Sequence, residues 1–106
     1  MEAAIRAIAE PRRRQILRLV WDTELPAGEI AAHFEVSRPA VSQHLRVLKD
    51  AGLVSERRVG TRRLYRARSE ELDRLRNFLG TFWSQRLDDL KDAAEREHRG
   101  GEHGTS

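Results

Sequence analysis

The chain has 106 residues, 39% hydrophobic and 35% charged, with no cysteine and a formal net charge of +3. That length suits one small domain, because two cores would each approach the size at which folding alone becomes marginal. Lack of cysteine excludes a disulfide framework, a thiolate metal site and a cysteine nucleophile, and fits a reducing compartment. The apolar runs are short, and MEAAIRAIAE has neither the basic flank nor the long apolar region of a signal peptide, so a cytoplasmic protein without a membrane span is expected. A modest apolar fraction spread over several helices also favours burial against a second chain.

Charge is distributed unevenly. Residues 1–69 hold 14 Lys/Arg against 8 Asp/Glu, a balance of +6, whereas residues 70–106 hold 6 against 9, a balance of −3. Six arginines and no acid fall within residues 57–68. Such a cluster attracts polyanions, although a soluble arginine-rich surface would read the same way.

Ile5 and Ile8 give Met1–Ala9 a weak helical stripe, and Pro11 opens a second helix because proline is tolerated in a first turn. Ile16, Leu17, Val20 and Trp21 carry that helix to about Asp22. A connection through Leu25 and Pro26 leads to a brief third helix over Ala27–Phe34, with Ile30, Ala31 and Phe34 as its inner stripe. Glu35 and Val36 make a turn. Ser37 then caps a fourth helix that carries Pro39 early and ends at Gly52. Leu53–Val59 and Arg62–Ala67 predict two strands joined at Gly60-Thr61, a basic hairpin. From Ser69 a long helix is expected to about Arg96, with Leu72, Leu75, Phe78, Leu79, Phe82, Trp83, Leu87 and Leu90 spaced mostly three or four apart. Residues 1–97 form the expected domain, and residues 98–106, HRGGEHGTS, are expected to end the chain as a glycine-rich disordered tail.

The fourth helix bears most on function. At 100 degrees per residue, Val41, Leu45 and Leu48 fall within roughly 60 degrees of one another, with His44 and Ala51 beside them. The opposite arc holds Arg38, Pro39, Ser42, Gln43, Arg46 and Lys49, all hydrogen-bond donors except the proline. A solvated face ordinarily mixes signs, and this one has no acid before Asp50. Two short helices, a turn and this helix make a helix-turn-helix, which lays its second helix in the major groove of double-stranded DNA. Arg38 and Arg46 can donate twice to guanine or clamp phosphate, Gln43 can pair with adenine, Ser42 suits either base, and Pro39 can touch a thymine methyl. The hairpin that follows is then a wing, with Arg58, Arg62 and Arg63 near its tip to meet sugar-phosphate or a narrow minor groove. The expected fold is mainly α with a small β part, a winged helix-turn-helix of order ααααββα.

The short first helix, EPRRRQILRLV, ELPAGEIAAHFEVSRPAVSQHLRVLKDAGLV, ERRVGTRRLYR and the long closing helix resemble the ArsR-type winged-helix repressors, over about residues 3–95. The resemblance implies a homodimer joined by the first helix, with Ile5 and Ile8, and the last, with Phe78, Leu79, Phe82, Trp83 and Leu87. It also implies an operator of imperfect two-fold symmetry and repression, commonly of the protein's own operon. The metal sensors of that family carry a cysteine pair in their third helix, where this chain has Glu24-Leu25-Pro26-Ala27-Gly28-Glu29-Ile30. Their other site needs an aspartate and a histidine two apart in the last helix, whereas Asp88, Asp89 and Asp92 here precede no histidine before His98. The chain is therefore similar to the metal-independent branch: no metal and no cofactor are expected, beyond weak binding that His98 and His103 could offer, and the effector is left open.

The apolar area of Phe78, Phe82, Trp83 and Leu87, much of it aromatic, independently favours a dimer interface over an intrachain core or an effector pocket. No nucleophile with an oriented base, no catalytic carboxylate pair and no phosphate loop is visible, so an enzyme is not expected. Ser42 and His44, two apart on a helix, point about 200 degrees apart and cannot serve each other. The competing functions are a nonspecific architectural DNA-binding protein and an interaction protein that uses its long helix.

Overall fold

A computed structural model describes residues 1–100, with side chains through residue 96. The elements in chain order are α1 (Glu2–Ala9), α2 (Pro11–Leu19), β1 (Leu25–Pro26), α3 (Ala27–Ala31), α4 (Arg38–Asp50), β2 (Val54–Val59), β3 (Arg62–Ala67) and α5 (Ser69–Gly100). Five helices and the hairpin are as the sequence predicts. A third strand is added, because Leu25 and Pro26 are extended and pair with Tyr65 and Leu64, giving an antiparallel sheet of order β1-β3-β2. Proline is admissible there because β1 is an edge strand.

Residues 1–75 form one compact unit and the residues from Arg76 onward a second. The core of the first is built from Ile16, Leu17 and Val20 of α2 and its end, Ile30 of α3, Val41, Leu45 and Leu48 of α4, and Leu53, Val54 and Tyr65 of the sheet. Leu72 and Leu75, on the first turns of α5, are buried with them. In α4 the buried positions are the three that the helical period selects, so one face is committed to the core and the other is released to solvent. Ser37 caps that helix by accepting from the Ala40 amide at 3.3 Å. Gly52, with φ of +80°, ends it in the left-handed conformation that glycine adopts without strain, and the chain turns directly into β2.

Three expectations need correction. The second helix stops at Leu19, so Trp21 lies beyond it and is 55% exposed instead of continuing the inner stripe. The third helix stops at Ala31, leaving Phe34 half-buried in the turn that follows. The last helix continues to Gly100 instead of ending near Arg96. Within the second unit Phe78, Phe82, Trp83, Leu87 and Leu90 are 45–61% exposed, and the Phe82 and Trp83 rings meet edge to face at 6.0 Å. No helix among the described residues is long and apolar enough to cross a membrane.

Candidate nucleic-acid interface

The outer face of α4 holds Arg38, Pro39, Ser42, Gln43, Arg46 and Lys49, all exposed, with the capping residue Ser37 also exposed at its start. Pro39, Ser42, Gln43, Arg46 and Lys49 line a groove of about 660 Å³ whose far wall includes Arg63. Helix and wing are thus brought together around one concavity. Arg38 points elsewhere: with Ser42 it borders a smaller hollow of about 160 Å³ against α3, and its guanidinium lies over Gly28, where a Cβ would come within 3.0 Å of Nη2.

The two-residue turn at Gly60-Thr61, with Gly60 at φ of +61°, fixes the wing register: Val59 faces Arg62, Arg58 faces Arg63, and Glu56 faces Tyr65. Alternation along the strands puts Arg58 and Arg63 on one face with Glu56 and Tyr65, and Arg62 on the other. Like charges directly opposite each other in a sheet cost stability. Glu56, on the same face and 3.9 Å from Arg63, offsets part of that cost for the Arg58 and Arg63 pair, and a further anion would offset more. Among the described residues no hydrogen bond or ion pair engages the side chains of Arg38, Arg46, Arg58 or Arg62.

The remaining arginines of the basic run are occupied. Arg57 donates through Nε and Nη2 to both carboxylate oxygens of Glu24, at 3.0 and 2.6 Å, clasping β2 to the segment before β1. That guanidinium holds the Glu24 carboxyl below the ordinary carboxylate range. Arg66 donates to the Asp22 carbonyl at 3.3 Å, and Arg68 lies 3.9 Å from Glu71.

Glu56 was not among the residues picked out by the sequence. Its Oε2 accepts from the Tyr65 hydroxyl at 2.6 Å, its Oε1 accepts from Lys49 Nζ at 3.2 Å, and Arg63 Nη1 lies 3.9 Å from it. The Tyr65 hydroxyl first, then Lys49 and Arg63, hold its carboxyl below the ordinary range against the opposing effect of burial. Burial first, then the hydrogen bond to Glu56 and its charge, push the Tyr65 phenol up to about 12. Counting back from the turn would have paired Glu56 with Tyr65. No count along the chain would have found Lys49, which arrives from another element.

Behind α4, His44 is packed: its Nδ1 lies 3.3 Å from Arg13 Nη1 and its Nε2 lies 3.4 Å from Glu10. Arg13 and Arg14 also donate to the last carbonyls of α1, those of Arg6, Ala7 and Ile8. His33 is exposed. Among the described residues no group of three or more His, Asp or Glu side chains is placed to hold a metal ion. The His98 side chain and His103 lie outside the described residues.

The sequence pattern of the bacterial regulatory proteins of the arsR family matches residues 10–56, which span α2, α3, α4 and the start of β2. An HTH-type transcriptional regulator of Mycobacterium tuberculosis is 45% identical over 86 residues, covering 81% of this chain and 80% of its own length. The transcriptional repressor SdpR of Bacillus subtilis is 43% identical over 60 residues, 57% of this chain and 67% of the relative. Among solved structures, the homodimeric winged helix-turn-helix DNA-binding domain of a possible ArsR-family regulator from Mycobacterium bovis superposes with a TM-score of 0.64 at 34% identity. That match covers 81% of this chain and 80% of the other.

Proposed function

We propose a specific role for this chain from the premise that it belongs to the arsR family of bacterial regulatory proteins, and so is a DNA-binding transcriptional regulator. It acts as a homodimeric repressor on an operator of approximate two-fold symmetry, commonly one overlapping its own promoter. The outer face of α4 enters the major groove, where Gln43, Arg46, Arg38 and Ser42 read base edges, Pro39 touches a methyl group and Lys49 takes phosphate. Arg58, Arg62 and Arg63 of the wing hold the adjacent sugar-phosphate chain. The observation that carries this reading is the groove of about 660 Å³ in which Ser42, Gln43, Arg46 and Lys49 of α4 meet Arg63 of the wing, flanked by exposed Arg38, Arg58 and Arg62, whose guanidinium groups engage no acceptor among the described residues.

The dimer rests on the exposed stripe of Phe78, Phe82, Trp83, Leu87 and Leu90 in α5, with half-buried Leu79; a second contact is assigned to Ile5 and Ile8 of α1, half-buried in the first unit. Apolar area of this kind gains about 25 cal/mol per Å² when removed from water, which favours a second copy over exposure. Two-fold symmetry in the protein then requires it in the operator, with half-sites about one helical turn of DNA apart. Cysteine is absent from the chain, so thiolate ligation of a metal is not the route by which it would be induced.

Selection of bound duplexes from a random pool by the purified protein tests both parts. The expected product is an inverted repeat, bound as a two-chain complex and retained against an excess of bulk DNA. Enrichment of no sequence, or binding that bulk DNA removes entirely, would make the protein an architectural binder instead and end the repressor reading.

A further inference from the structure

The groove between α4 and the wing is lined with donors, yet a carboxylate sits in its wall. Glu56 is mostly buried, its side chain 21% exposed, and each of its oxygens is engaged: Oε2 by Tyr65, Oε1 by Lys49, with Arg63 alongside. The partners differ in kind. Tyr65 is a buried ring on the strand facing Glu56, so its hydroxyl is a fixed point. Lys49 and Arg63 are half-exposed cations on long stems, one from the helix and one from the wing. Tyr65 therefore anchors the carboxylate, and the carboxylate in turn orders the two cations.

We infer that Glu56, anchored by Tyr65, is a specificity-determining positioning residue: it pre-orders Lys49 and Arg63 across the helix-wing groove and lowers the attraction of that groove for any duplex that does not fit. This deepens the DNA-binding reading given above and rests on it. Two effects combine. A lysine or arginine that is loose in the free protein loses rotamer freedom on contacting phosphate, whereas one already held at the right place loses less. A fixed negative charge inside a basic groove opposes every phosphate, and a matched duplex offsets that opposition with base contacts that a mismatched one lacks. The device costs raw affinity and gains discrimination.

Two variants separate the effects. Tyr65→Phe keeps the ring and the net charge but frees the carboxylate, whereas Glu56→Gln removes the charge as well. Asp50→Asn is the control, because Asp50 is exposed and lines the same groove without an ion partner among the described residues. Full-length proteins, checked for unchanged circular dichroism and unfolding temperature, are titrated with the selected operator and with a scrambled duplex across a series of salt concentrations. Tyr65→Phe is expected to lower the operator-to-scrambled affinity ratio severalfold with the salt slope unchanged. Glu56→Gln is expected to lower the ratio further by tightening scrambled binding, with a log-log slope steeper by about 0.9, as for one more phosphate neutralised. An unchanged ratio in Tyr65→Phe, or an Asp50→Asn variant that reproduces the whole effect of Glu56→Gln, overturns the inference while leaving the DNA reading standing. A wild-type protein with no preference between the two duplexes overturns the DNA reading itself, and the inference with it.

Discussion

The fourth helix and the wing are both basic, but they hold their charge in different ways. In α4 one sequence rule sorts the side chains: Val41, Leu45 and Leu48 are buried by the helical period, and the cations follow on the other side. In the wing, alternation sorts only the two faces, and five arginines that look equivalent in the sequence take different roles. Arg57 clasps Glu24, Arg66 reaches the Asp22 carbonyl, Arg63 shares Glu56 with Lys49, and Arg58 and Arg62 near the tip engage no acceptor among the described residues. A helix rests on the core along its whole length, so its outward face is fixed by what is inside. The tip of a hairpin has no such backing, and each arginine there is placed by whichever acceptor the fold brings near it.

The largest test of that contrast is the core beneath α4. Leu45→Ala should lower stability by about 2–5 kcal/mol, read from urea unfolding, because Leu45 is 1% exposed and its removal leaves a cavity. Val59→Ala at the wing, 44% exposed, should stay within about 0.5 kcal/mol. Equal losses would mean that the wing is packed as tightly as the helix.

Next in size are effects on DNA. Gln43→Ala should cost about 1–3 kcal/mol at one base-pair position and little elsewhere, seen as relaxed choice there in a selection experiment. Arg62→Ala should instead weaken every duplex similarly and flatten the salt slope by about 0.9. Sequence-selective loss from Arg62→Ala would show that the wing reads bases.

The smallest effect concerns Arg57, which the contrast makes structural. Arg57→Ala should leave operator affinity nearly unchanged and lower the unfolding temperature slightly at neutral pH. The sign follows from Glu24: its carboxyl is held below its ordinary range when folded, so the clasp contributes above that range and is lost as pH falls through the lowered value. Wild type and variant should therefore converge in acid, and a difference that persists there would assign the loss to packing.

The helix-turn-helix was legible because its signals are local. Ser37, Pro39 and Gly52 mark the two ends of α4, and a single turn rule places Gly60. Trp21 and Phe34 misled for the same reason: each continues a helical spacing that the chain abandons, at Leu19 and at Ala31, and periodicity carries no sign of where a helix stops when no glycine or proline follows. Leu25 and Pro26 gave no strand signal at two residues long, and became a strand only because β3 offered a free edge.

Within the candidate site, the donor face of α4 was readable and the carboxylate of Glu56 was not. Spacing along one helix is enough to group Ser42, Gln43, Arg46 and Lys49, since their directions depend only on a fixed rotation per residue. The meeting of Lys49 with Glu56, of Arg57 with Glu24, or of His44 with Arg13 depends on how separate elements dock. Sequence alone thus determined the five helices and the hairpin and which side of α4 is polar, because hydrogen-bonded backbone geometry repeats at short range. Tertiary packing alone decided which charges are left free to meet a polyanion, because ion pairs form between residues that are neighbours in space and distant along the chain.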